Sequence, residues 1–171
     1  MGQPRGTLNE PEICYLPPQK MAAVYAQGNP EQVILETLPA LFNTLLTLKF
    51  EKRVTSDIPL PLQGLRIRYI EATGKTSPEW TLVMGLPVPE ETTALPQMVG
   101  GIAVRLETWE YGTIAQISHD SSIIEGLTPH ERLVQFIITS GRRVIGVREE
   151  EFHAGVTGEP VTIIRYRIAP A

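Results

Sequence analysis

At 171 residues, with 42% hydrophobic and 20% charged side chains, the chain has the make-up of one globular domain: enough for a buried core, too little for two independent domains, and too apolar for disorder. A net charge of −4 with scattered Arg and Lys argues against direct nucleic acid binding, because a phosphate binder carries a basic stripe. The single cysteine, Cys14, excludes an internal disulfide, suits a reducing compartment and reads as packing rather than as a nucleophile. No stretch approaches the roughly 20 apolar residues of a membrane span, and MGQPRGTLNE has no hydrophobic signal core, so the expectation is a cytoplasmic protein with no membrane partner.

In chain order, Glu12–Gln27 is apolar and β-rich but interrupted by Pro17–Pro18, which cannot donate to a ladder, so it reads as two strand pieces with a kink. Asn29–Pro30 supplies an N-cap and a first helical residue. Ile34, Leu38, Leu41, Phe42, Leu45 and Leu48 then fall at helical spacing, with Pro39 predicting a kink or break near Thr37. Arg53–Gln63 is a connector. Gly64–Ala72 and Trp80–Val88 alternate as strands of a hairpin around a turn at Thr73–Glu79. Pro87–Gly101, rich in Pro, Thr and Gly, is the seam between halves.

After the seam the order repeats. Ile102–Ser118 is a long strand broken at Tyr111–Gly112, as the first was at Pro17–Pro18. Thr128–Pro129–His130–Glu131 is a capping box with Pro at the first helical position, and Gly141 is the stop; Leu133, Phe136, Ile137 and Ser140 form the inner face. Arg142–Phe152 and Val161–Ile168 pair as a second hairpin around Gly155–Pro160. The expected fold class is therefore α+β: one domain over 1–171, built from two β-α-β-β repeats (about 11–90 and about 99–169) with antiparallel sheets, a pseudo-twofold relation and a central ligand groove. Each sheet buries one side against its own helix and leaves the other to face its twin.

The stretch RRVIGVREEEFH carries the candidate site. Extended backbone puts Val144, Gly146, Arg148, Glu150 and Phe152 on one face, with Glu149 and Glu151 opposite in phase. Three successive carboxylates repel one another, so either the strand runs out into solvent or one carboxylate meets a cation beside an aromatic ring. Gly146 would leave room for a ligand to approach the backbone. Tyr69 holds in the first half the place of Phe152 in the second, and Trp80 and Trp109 are further aromatic candidates. Arg66–Arg68 and Arg165–Arg167, with Arg residues one apart, read as solvated strand faces. His119, His130 and His153 do not fall at metal-ligand spacings, so neither a metal nor a cofactor is expected.

EICYLPPQKMAAVYAQGNP, GLRIRYIEATGKTSPEWTLVMGLPV and VREEEF with VTIIRYRI, in that order and spacing, resemble the GyrI-like small-molecule-binding domain. It shares its fold with the effector-binding domains of AraC-type and MerR-type multidrug regulators. The resemblance implies two β-α-β-β repeats, as read above, with the family's cation-recognising Glu at Glu150 and its companion aromatic at Phe152. Phe replaces the family's usual Tyr, which removes a hydrogen-bond donor, and Asp120–Ser121 stands where the family often has Gly–Pro. The resemblance would make the protein a stand-alone binder of an amphipathic, cationic or aromatic small molecule, contacted by Glu150 and Phe152, to which the strand pattern adds Tyr69, Trp80 and Trp109 as candidates. It also implies two alternatives: a hydrolase of reactive, cyclopropane-type compounds with Glu150 activating water, or a modulator of another protein such as gyrase. No Ser–His–Asp set or phosphate-cradling loop accompanies the carboxylates, so binding is favoured over catalysis, with a protein partner or homodimer left open.

Overall fold

In a computed structural model of the protein, the described residues are 6–52, 64–70, 80–97, 101–154 and 158–171, without the side chains of 50–52 and 154. The connector expected at 53–63, the turn at 73–79, and residues 98–100 and 155–157 lie outside them. The elements are β1 (Pro11–Leu16), β2 (Gln19–Gly28), α1 (Pro30–Lys52), β3 (Leu65–Ile70), β4 (Trp80–Pro87), β5 (Arg105–Trp109), β6 (Gly112–His119), α2 (Pro129–Thr139), β7 (Arg142–Val144), β8 (Arg148–Ala154) and β9 (Pro160–Pro170).

They gather into two compact units, one formed by 18–110 and the other by 1–17 with 111–171; we call them the α1 unit and the α2 unit. In the α1 unit the strands run β3-β4-β2-β5, all antiparallel; in the α2 unit they run β8-β9-β6-β1, all antiparallel, with short β7 on β9. Both therefore hold a β-α-β-β series, β2-α1-β3-β4 and β6-α2-β8-β9, plus one strand from the other half of the chain. The α+β class and the paired antiparallel repeats are those read from the sequence. The strand breaks fall at Pro17–Pro18 and Glu110–Tyr111, where the chain passes between units, and 102–104 is not strand.

α2 is set by local chemistry. Thr128 Oγ1 accepts from the Glu131 backbone N–H while the Glu131 carboxylate accepts from the Thr128 N–H, and Gly141 ends the helix at φ +67°. Leu133 and Ile137 pack on Ala115, Ile117, Ile164 and Ile168. Phe136 is half-buried and Ser140 is exposed, so the inner face is narrower than the spacing suggested.

α1 is continuous where Pro39 predicted a break. Pro39 is exposed, as is Leu35, whose carbonyl loses its helical donor, so water can take the bond that the ring removes. Val33, Thr37, Leu41, Thr44, Leu45 and Leu48 form the buried face. Thr37 Oγ1 donates to the Val33 carbonyl at 2.6 Å and lies 3.5 Å from Met84 Sδ on β4, which fixes the helix over the side of the sheet bearing Leu82, Met84 and Leu86.

Candidate functional site

The face of each sheet that its helix leaves uncovered follows from these contacts and from period two. In the α2 unit, Ala115, Ile117, Ile164 and Ile168 point toward α2, so their neighbours Gln116 and Arg165 point away. The registers Glu12↔Gln116, Gln116↔Arg165 and Arg165↔Glu149 then draw one polar row straight across β1, β6, β9 and β8.

This row is bonded end to end. Gln116 Nε2 donates to Glu12 Oε1 at 2.8 Å and Gln116 Oε1 accepts from Arg165 Nε at 3.3 Å. Arg165 Nη1 lies 2.8 Å from Glu149 Oε1 and 2.6 Å from Glu151 Oε2. The Tyr111 hydroxyl donates to the Glu149 carboxylate at about 3 Å, its ring lies 5.8 Å from the guanidinium, and His153 pairs with Glu151. Arg165, Glu149 and Glu151 are only 2%, 3% and 6% exposed. Burial opposes the charge on Arg165, but Glu151 and then Glu149 outweigh it and hold its pKa above the ordinary guanidinium value. Arg165–Arg167 is therefore not a solvated face: Arg165 is buried in this cluster, and Arg66 on β3 is buried as well. Cys14, opposite Ile114, has its thiol pushed up by burial and by Glu12, which makes it a poor nucleophile.

In the α1 unit the uncovered face carries Arg66, Arg68, Gly85, Met21, Ala23, Tyr25, Arg105, Glu107 and Trp109 by the same alternation. Trp109 is buried over Gly85, where an added Cβ would come within 2.7 Å of the indole, and the Arg68 guanidinium stacks 4.0 Å above the ring. Its Nε1 donates to Glu107 Oε2 at 3.2 Å. The other oxygen of Glu107 accepts from the Tyr25 hydroxyl at 2.7 Å, which raises the phenol pKa, and Arg105 lies 5.0 Å over the Tyr25 ring.

Of the residues singled out from the sequence, Trp109 is on an uncovered face. Tyr69 and Trp80 are on the α1 side, half-buried and edge to face at 6.4 Å. Glu150 and Phe152 do share a face, but it is the α2 side, since Glu150 lies opposite Ile164 and Phe152 opposite Thr162. There Glu150 pairs with Arg148, near His119 and His130. His130 Nε2 is 2.8 Å from the Tyr166 hydroxyl. Burial lowers the pKa of both histidines. Gly146 is explained by a neighbouring side chain: an added Cβ would sit 3.2 Å from Arg167 Cβ. Of the buried residues that sequence reasoning passed over, Arg165, Glu149 and Glu151 did leave a signal in the charges spaced two apart on β8 and β9, whereas Gln116 on β6 and Tyr111 before it left none. Among the described residues no group of His, Cys, Asp and Glu is arranged to hold a metal, and no helix is long and apolar enough to cross a membrane.

No protein-family model and no curated protein matches the chain. Solved structures do. A hydrolase from Listeria innocua is 17% identical with a TM-score of 0.71, over 96% of this chain and 94% of that one. An uncharacterized conserved protein from Listeria innocua is 19% identical, also at 0.71, over 95% and 93%. The C-terminal domain of EcmrR is 10% identical at 0.60, over 95% and 98%. At these identities the likeness defines the fold: this chain has the α+β fold of those proteins, which agrees with the effector-binding-domain fold that the sequence resemblance implied.

Proposed function

We propose that the protein binds a small amphipathic molecule, cationic or aromatic, on sheet faces that its helices leave uncovered. The observation that carries this reading is the buried row Glu12–Gln116–Arg165–Glu149 with Glu151 and Tyr111 beside it. Buried ionised groups are commonly no better for stability than apolar packing of the same volume, so a fold that maintains them on its uncovered face has a reason in recognition. Exposed Tyr25 with Arg105 adds stacking surface, a contact worth about 0.5–1 kcal/mol at an exposed site, while Trp109 is buried beneath Arg68. In this reading Glu149 and Glu151 hold the role that alternation and the family resemblance gave to Glu150, and neither nucleic acid nor membrane is a partner.

The test is a thermal-shift screen of cationic aromatic compounds, followed by titration calorimetry of a hit. Glu149→Gln or Glu151→Gln is expected to weaken binding about tenfold or more, in line with the roughly 1.5–3 kcal/mol of a hydrogen bond to a charged group. Glu150→Gln is expected to bind as the parent does. Loss confined to Glu150→Gln, or a screen without hits, would overturn the assignment.

A second reading, hydrolysis of a reactive small molecule, is supported by two structural neighbours described as hydrolases from Listeria innocua, with TM-scores of 0.71 and 0.68. Tyr111 against Glu149 provides a phenol and a carboxylate to position and deprotonate water. Turnover of a bound compound that disappears in Glu149→Gln or Glu151→Gln while its affinity survives would favour this reading over simple binding.

A further inference from the structure

The outward side of α1 is not the polar surface that a helix packed on one sheet normally shows. Leu35 is 74% exposed and Leu46 is 46% exposed, Pro39 is exposed, and Phe42 between them is half-buried. At 100° per residue these four positions fall within about 60° of one another, opposite the buried face of Val33, Thr37, Leu41 and Leu48. Their spacing of four, three and four is that of a helix-pairing seam. α1 is thus apolar on two sides, and the sheet accounts for only one.

We propose that this stripe pairs with the same stripe of a second copy, the two α1 helices running antiparallel about a twofold axis. The stripe is self-complementary under that operation. Numbers that add to 81 come level, so Leu35 meets the partner's Leu46 and Pro39 meets the partner's Phe42. The charges obey the same rule. Glu31 and Lys49, both exposed, lie on one flank of the stripe, about 40° from Leu35 in the same sense. Antiparallel pairing brings like flanks together, so Glu31 of each copy faces the partner's Lys49 within one residue of level, and two equivalent ion pairs close the ends. A parallel pairing would put the Glu31 and Lys49 of one copy on the opposite flank from those of the other, so no such ion pair would form. A lipid surface or an unrelated acidic partner would have no use for this reciprocal placement. The seam spans about 17 Å, from a rise of 1.5 Å per residue, which marks a small interface and a reversible dimer.

The experiment is sedimentation equilibrium of the full chain from about 10 to 300 µM, concentrations at which a small interface associates measurably. The parent chain is expected to shift from monomer toward dimer. Leu46→Glu should abolish the shift, and Glu31→Lys or Lys49→Glu should weaken association about threefold or more. The exchanged double variant Glu31→Lys/Lys49→Glu should restore it, because the pair is only reversed. Circular dichroism of each variant checks that α1 is intact, since all these positions are exposed. A parent chain that stays monomeric across the range overturns the proposal. So does a double variant as weak as the singles, which would leave any association to another surface.

Discussion

The α1 unit and the α2 unit thread matched strands in the same order, yet matched positions carry different chemistry. In the α2 unit the row across the uncovered face is Glu12, Gln116, Arg165 and Glu149; in the α1 unit the corresponding row is Arg105, Ala23, Gly85 and Arg66. Where one unit buries a guanidinium between carboxylates, the other has a glycine covered by Trp109, and the carboxylate pair Glu149 and Glu151 is answered in register by Arg66 and Arg68. Directly beneath the helices the units do not diverge in this way: Leu82 and Met84 in one, Ile117 and Ile164 in the other, are apolar, although on β8 the same side carries Glu150 paired with Arg148. The comparison teaches that the helix holds the strand positions directly beneath it to apolar residues, whereas the row on the other side has been free to take up charge of either sign or a glycine under an aromatic ring.

The largest effect should come from the guanidinium slot. Arg165→Met is expected to destabilise the protein by about 3–5 kcal/mol in urea unfolding, because Glu149 and Glu151 stay buried without their cation. A loss under about 1 kcal/mol would mean that the cluster is solvated rather than buried. Gly85→Ala in the matched slot should cost less, about 1–3 kcal/mol, with a change in tryptophan emission as the added methyl displaces the indole. Unchanged emission would show that Trp109 does not depend on Gly85.

The helix starts offer a smaller contrast. Thr128→Ala removes one arm of a reciprocal capping box and should cost about 1 kcal/mol. Asn29→Ala removes a single 3.1 Å bond to the Glu31 N–H, so it should cost less; the reverse order in thermal melts would show that the box is not what holds α2.

The smallest contrast is in pH. All three histidines lie in the α2 unit. Burial lowers the pKa of His119 and His130, so below the ordinary value of 6.5 the unfolded chain binds protons that the folded chain does not yet bind. Stability is therefore full above pH 6.5 and falls as pH drops from there through the lowered folded values. Asp120 and Glu131, with lowered carboxyl pKa values, add to the loss only below their ordinary values of 3.8 and 4.5. Amide exchange should accelerate in β6 and α2 before it does in β2 and β4, and His130→Gln should flatten the slope. Equal acceleration in both units would show that these histidines do not set it.

α2 was legible to the residue because a capping box and a stop glycine are contacts within a few positions of one another. The β-α-β-β order was legible because turn residues and alternation are also local, and the breaks at Pro17–Pro18 and near Tyr111 marked where strands end. The phase of β8 was correct too, with Glu150 and Phe152 on one side and Glu149 and Glu151 on the other. Period two, however, separates two sides of a strand without saying which of them a helix will cover. That was decided by α2 docking on Ile117, Ile164 and Ile168, which put Glu150 beneath the helix side and left Glu149 and Glu151 to surround Arg165. In the same way, Pro39 signals a lost hydrogen bond, but only packing decides that the bereaved carbonyl faces water and that α1 continues. Local bonding and periodicity are written in neighbouring residues, whereas the cover of a face and the partner of a buried charge come from segments as far apart as Gln116 and Arg165.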